Sequence, residues 1–189
     1  MTTSLARLLP LASLLFVLGC GSAIKEPTAS VRSGTLRQVT ENGLALDFVV
    51  DVANPNGFAV PVSSADYKLA VGGVRVLSDS AKPADSIPAN GSAAVTVPVT
   101  LKFEDLIKAE QALAQGGGNV PYAFDGSLAF SAGPLKQFGQ SVRVPIKYEG
   151  TLPLRDIARD PVTLLKSPAG RRIIELVVGK SGLGGLLGR

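Results

Sequence analysis

A chain of 189 residues is long enough to bury one sizeable core and short for two. Its 46% apolar and 18% charged residues place it among folded chains and exclude wholesale disorder, while 21 Gly and 13 Pro disfavour long helices and call for a domain cut by many turns. Net charge is +4 without any basic run interleaved with aromatics, so a nucleic-acid footprint is missing, and the absence of histidine removes Ser-His-Asp and Cys-His nucleophilic systems, histidine general bases and most zinc sites.

The first nineteen residues differ from all that follow. Arg7 supplies a positive start, Leu8 to Leu18 (LLPLASLLFVL) is nearly unbroken apolar sequence, and Gly19 puts a small residue directly before Cys20. Eleven helical residues reach roughly 16 Å, well short of a hydrocarbon core about 30 Å thick, so the segment reads as an export signal and not as a permanent span. Val17-Leu18-Gly19-Cys20 resembles the bacterial lipobox, in which a peptidase cuts before a diacylated cysteine. That resemblance implies lipidation of Cys20, removal of residues 1–19 and attachment to a membrane. Gly21 stands where an aspartate would signal retention at the inner membrane, which implies the outer membrane of a Gram-negative envelope, facing the periplasm. Two or three acyl chains anchor stably, since each buried CH₂ contributes about 0.8 kcal/mol and one chain alone binds marginally. The bland alternative for a lone cysteine is a small core hydrophobe. Residues 20–33 are expected to be the lipidated cysteine and a flexible polar tether.

Alternation begins near Gly34. In Gly43 to Ala53, Leu44, Leu46, Phe48, Val50 and Val52 share one face of a strand, with Asp47 and Asp51 on the other. The two aspartates stand roughly 13 Å apart along that face, too far to act as a catalytic carboxylate pair, and read as solvated charges. The same pattern returns in Ser92 to Leu101, Tyr122 to Phe130 and Ser141 to Tyr148. Thr35 to Val39, Tyr67 to Val71 and Val74 to Ser80 are shorter candidates, the last two joined by a Gly72-Gly73 hairpin turn. About seven strands at this spacing predict an all-β, immunoglobulin- or fibronectin III-like antiparallel sandwich.

Phe103 to Gln115 breaks the rule. Phe103, Leu106, Ile107, Glu110, Leu113 and Ala114 fall on one helical stripe, with Glu104, Asp105, Lys108 and Gln111 on the wet side, which predicts one inserted helix over an end or edge of the sandwich. Gly116-Gly117-Gly118-Asn119 follows that helix and leads into a strand, the wrong polarity for a phosphate cradle. Asn90-Gly91-Ser92 matches a glycosylation sequon but reads as an ordinary turn.

Between two strands lies Asn54-Pro55-Asn56-Gly57, a sharp turn by composition. Together with Val60-Pro61-Val62, Tyr67-Lys68-Leu69, Gly72-Gly73 and Ile87-Pro88-Ala89-Asn90-Gly91 ahead of Val95 to Val99, it resembles the water stress and hypersensitive response (WHy) domain of late embryogenesis abundant type 2 proteins. The likeness covers roughly residues 30–149 and rests on the order of the motifs, each weak alone. It implies a fibronectin-like sandwich with an inserted helix, a link to desiccation and related stress, a lipoprotein form in bacteria, and neither catalytic residues nor cofactor. Asn54, Pro55 and Asn56 carry over only as a structural signature.

The domain is thus expected at residues 34–149, with a C-terminal extension at 150–189. Asp160-Pro161 and Ser167-Pro168 read as starts of short helices over Pro161 to Lys166 and Pro168 to Val178, although Arg172 to Val178 also suits a strand. Leu183 to Gly188 is too short to span a bilayer and reads as a packing tail, a segment resting on the membrane, or a frayed end. The function expected from these features is non-enzymatic: a membrane-anchored protein that stabilises or binds envelope components under stress. The alternative is an adaptor that recruits an envelope protein through the sandwich edge or the tail.

Overall fold

The computed structural model describes residues 24–116, 119–131, 141–153, 157 and 161–178. Cys20, the apolar segment before it and the tail at Leu183 to Gly188 lie outside them.

The described residues form eight strands: β1 (Thr28–Val39), β2 (Gly43–Asn54), β3 (Val60–Val71), β4 (Val74–Ala81), β5 (Ser86–Ile87), β6 (Gly91–Lys102), β7 (Asn119–Phe130) and β8 (Val142–Pro153). They form two antiparallel sheets, one ordered β1-β2-β6 and the other β4-β3-β7-β8 with β5 paired to the start of β3. This is the predicted sandwich. The edges of β1 and β8 lie alongside each other and draw the two sheets together on that side. Pro98 and Pro145 sit in β6 and β8, both edge strands, where a missing N–H leaves no central ladder broken.

Period-2 patterning builds the core between the sheets. Leu44, Leu46, Phe48, Val50 and Val52 of β2 are buried against β3 and β7, beside Val95, Val97, Val99 and Leu101 of β6. Five aromatic rings join the layers: Phe48 stacks on Phe124 at 4.0 Å between centroids and meets Tyr122 and Tyr148 edge-on at 6.0 and 6.2 Å, while Tyr67 stacks on Phe124. The Tyr122 hydroxyl crosses the interior and donates to the Gly34 carbonyl of β1 at 3.3 Å. A Cβ on Gly34 would lie 2.5 Å from that oxygen, so the crossing requires glycine there.

Burial, and then the neighbouring Tyr148, push the Tyr122 hydroxyl from its ordinary 10 up to about 12. The folded state therefore prefers the neutral phenol, so this contribution to stability is complete below pH 10 and is lost as pH rises towards 12. Urea midpoints measured from pH 8 to 12 are expected to fall less steeply in Tyr122→Phe than in the parent above pH 10.

Three sequence expectations are corrected. The chain is already a strand from Thr28, so the part of the tether expected at residues 28–33 belongs to the sheet. Only the second half of β1, Thr35 to Val39, is legible from the sequence, because β1 is an edge strand with irregularities between Val31 and Ser33 and between Leu36 and Gln38, which reset its alternation. Phe103 to Gln115 is helical in three pieces: α1 (Phe103–Leu106), a 3₁₀ turn (Ile107–Ala109) and α2 (Glu110–Gln115). The tighter turn advances the phase, so Ala109 and Leu113 face inward while Ala114 is exposed.

After β8, α3 (Pro161–Leu165) and α4 (Pro168–Val178) follow as helices; the competing strand over Arg172 to Val178 does not form. Ser167 caps α4, its hydroxyl accepting from the Gly170 N–H at 3.1 Å and donating to the Glu41 carbonyl at 2.7 Å. Lys166 pairs with Glu41 at 2.9 Å, and Arg172 bridges Glu110 and Glu175. α3 and α4 thus dock at the β1–β2 turn, next to the inserted helices, and cap one pole of the sandwich. The Asn54 turn occupies the opposite pole.

Candidate functional site

Along β2 the inward positions run Leu44, Leu46, Phe48, Val50, Val52, and the same parity brings Asn54 inward at the strand's end. Pro55 then turns the chain and Asn56 follows on the same side. Asn54 and Asn56 are 2% and 6% exposed and are the buried polar residues among those described. A buried amide is costly unless its donors and acceptor are satisfied, and here the surrounding main chain supplies the partners.

The Asn54 Nδ2 donates to the carbonyls of Phe58 at 2.7 Å and Pro88 at 3.0 Å, with a longer approach to Ile87 at 3.4 Å. Its Oδ1 accepts from both the backbone N–H and the Nδ2 of Asn56, each at 3.0 Å. Asn56 turns outward along the chain: its Nδ2 donates to the Lys25 carbonyl and its Oδ1 accepts from the Lys25 N–H, both at 2.8 Å. One side chain thereby pairs with both backbone groups of Lys25, as a neighbouring strand would. The Asn56 carbonyl accepts from the Asn90 N–H at 2.8 Å, and Asn90 adopts φ of 50°, a left-handed conformation that asparagine tolerates.

Two asparagines therefore fasten three separate segments at one pole: the N-terminal arm at Lys25, the turn at Phe58, and the Ile87-Pro88-Ala89-Asn90 turn before β6. Pro55 is exposed, and its ring sets the turn that aims both amides. Asn56→Ala is expected to abolish slow hydrogen exchange at the Lys25 amide, measured residue by residue by NMR, while amides in the middle of β2 stay protected.

Inspection of the turn composition misses this hub, because the partners of Asn56 and Asn54 lie 31 and 34 residues away in sequence. Parity was the available signal, since an asparagine continuing an inward series must find buried partners.

The other singled-out residues do not converge. Asp51 pairs with Arg32, and Asp47 with Arg37 at 3.0 Å, across the exposed face of β1 and β2. Arg143 pairs with Asp66 and Lys147 with Asp125 on the outer face of the other sheet. Such exposed pairs contribute about 0–1 kcal/mol each; they keep both outer faces charged and wet. Gly72 and Gly73, with φ of 55° and 81°, form the predicted hairpin turn. Among the described residues no group of three or more Cys, Asp or Glu is placed to hold a metal ion, and no helix is long and apolar enough to cross a membrane.

With two amides tying one pole of a sandwich, the order of motifs acquires a structural meaning, and comparison with known families decides the kinship. The model of the late embryogenesis abundant protein family, type 2, matches residues 49–150, more than half of the chain. The chain belongs to that family. The match runs from the middle of β2 through β8 and contains Asn54, Pro55 and Asn56.

Solved structures agree in fold. An Arabidopsis thaliana protein studied in solution superposes with a TM-score of 0.57 at 19% identity, over 73% of this chain and 88% of its own. A second solution structure, bearing the late embryogenesis abundant name, gives 0.54 at 22% identity, over 71% and 76%. A crystal structure of an Archaeoglobus fulgidus protein gives 0.53 at 13% identity, over 65% and 96%. No curated protein matches.

Proposed function

We propose that this chain is a lipid-anchored, non-enzymatic member of the late embryogenesis abundant type 2 family. Its WHy-type domain stabilises or binds components of the cell envelope when water is withdrawn. The observation that carries this reading is the family match over residues 49–150, which brings a stress-type domain to a sandwich whose outer faces are ruled by paired charges. Charged outer faces hold water and favour hydrated polar surfaces such as headgroups, while the aromatic core keeps the body folded. The anchor is assigned to Cys20, after the apolar segment Leu8 to Leu18, and the location to the periplasmic side of the outer membrane.

The experiment is a deletion strain complemented in two ways and scored for survival after drying, high salt and detergent. Loss of survival in the deletion, with rescue by the wild-type gene and not by Cys20→Ser, is the result this reading predicts. Unchanged survival of the deletion would remove the protective role. A single stoichiometric partner captured by crosslinking in living cells would turn the reading towards recruitment of an envelope protein.

A further inference from the structure

The anchoring reading leaves open how the domain stands on its membrane, and the Asn56–Lys25 pairing supplies an answer that rests on that reading. A flexible tether through residue 33 would let the sandwich tumble. The chain is instead fastened at Lys25, by both of its backbone groups, to a buried side chain. Pro27 is buried beside it and β1 begins at Thr28, so the arm is part of the folded body from Lys25 onward.

Four residues separate Cys20 from Lys25, and even fully extended they hold the two Cα atoms within about 18 Å. Ile24, the residue before the fastened one, is 38% exposed and is one of the few large apolar side chains left open to solvent among the described residues. The opposite pole lies one strand length away: β2 runs from Gly43 to Asn54, about 36 Å at the rise of an extended strand. That pole carries α3 and α4, held to Glu41 by Lys166 and Ser167.

We propose that the Asn54–Asn56 pole is the bilayer-facing surface of this protein, with Ile24 and Pro55 towards the headgroups. The pairing of Asn56 with Lys25 sets that orientation and presents the helical cap away from the membrane. The covalent path from anchor to cap runs through the fastened arm and along the length of the sandwich.

The test uses acylated full-length protein, extracted from membranes and returned to vesicles containing a lipid with a paramagnetic headgroup. Acylation blocks Cys20, so a single introduced cysteine takes the reporter label. Gly57→Cys marks the proposed lipid-facing pole, where an added Cβ meets nothing within 4 Å, and Val162→Cys marks the cap, where the side chain is 68% exposed. Several-fold stronger relaxation at position 57 than at 162 is expected. A flexible Gly-Ser insertion between Cys20 and Ile24 should bring that ratio towards one without touching the fold, and Asn56→Ala should do the same by releasing the arm. Equal relaxation at the two positions in the parent protein, or stronger relaxation at 162, would overturn the orientation, and a ratio unmoved by both the insertion and Asn56→Ala would overturn the role of the fastened arm in setting it. Protein that carries no acyl chain and fails to float with the vesicles would remove the anchor itself, and the orientation with it.

Discussion

Phe48→Ala is expected to lower the free energy of unfolding by about 3–5 kcal/mol, measured by urea or guanidinium titration. Phe48 is 0% exposed and is the one ring that β2 contributes to an aromatic cluster otherwise built from β3, β7 and β8. Deleting it removes the stack on Phe124 and the edge contacts to Tyr122 and Tyr148 at once. The neighbours cannot collapse into the space, because they are fixed to the facing sheet by ladder hydrogen bonds, so a cavity remains between the layers. Phe58→Ala, at a half-buried turn position, should cost much less. A Phe48→Ala loss below about 1 kcal/mol would show that the two sheets do not depend on this contact.

Asn54 is the second large effect, through unmade hydrogen bonds. Asn54→Ala leaves the Phe58 and Pro88 carbonyls and the donors of Asn56 without their partner, and a loss of about 2–3 kcal/mol is expected. Asn54→Asp is the sharper probe, being equal in shape but unable to donate when ionised. A carboxylate there would face two carbonyl oxygens in a buried site, so its pKa must rise and the folded state must favour the protonated acid. Because protonation restores a donor, the stability of Asn54→Asp should be highest below the ordinary carboxylate value near 3.9 and should fall as pH rises through the raised folded value. The parent, carrying an amide, lacks that component. Denaturant midpoints for both proteins between pH 3 and 8 decide it; parallel curves would mean that the position 54 donor is dispensable.

How far these features could be read from the sequence depended on whether a residue's environment was local. β2 and β6 were legible to within one residue at either end, because each carries an uninterrupted buried series at every second position, Leu44 to Val52 in β2 and Val95 to Leu101 in β6. β3 was read only from Tyr67, since Pro61 and a register shift between Val62 and Ser64 obscure its first half, which begins at Val60. β5 has two residues and offers no period at all. The helical insertion and the inward positions Phe103, Leu106 and Leu113 were legible, but Ala109 was missed and Ala114 wrongly placed inward, because a 3₁₀ turn shifts the phase that a uniform helix would keep.

At the candidate site, composition gave the turn at Asn54-Pro55-Asn56 and the motif order gave its kinship. Neither gave the hub. What Asn56 holds is the backbone of Lys25, and a backbone group has no sequence signature, so a side chain that pairs with it is invisible to pattern reading. The arm before Thr28 looked like a tether for the same reason: Ile24-Lys25-Glu26-Pro27 is short and aperiodic, and its order comes from a residue thirty-one positions after Lys25. On the proposed anchoring at Cys20, a fastened arm would make the anchor a mount and not a leash.

The proposed anchoring and orientation depend on a lipid at Cys20, and intact-mass measurement of the protein recovered from cell membranes tests it most directly. A chain beginning at Cys20 and bearing two or three acyl groups is the predicted result. A chain that retains residues 1–19, or one recovered from the soluble fraction with an unmodified cysteine, would contradict it.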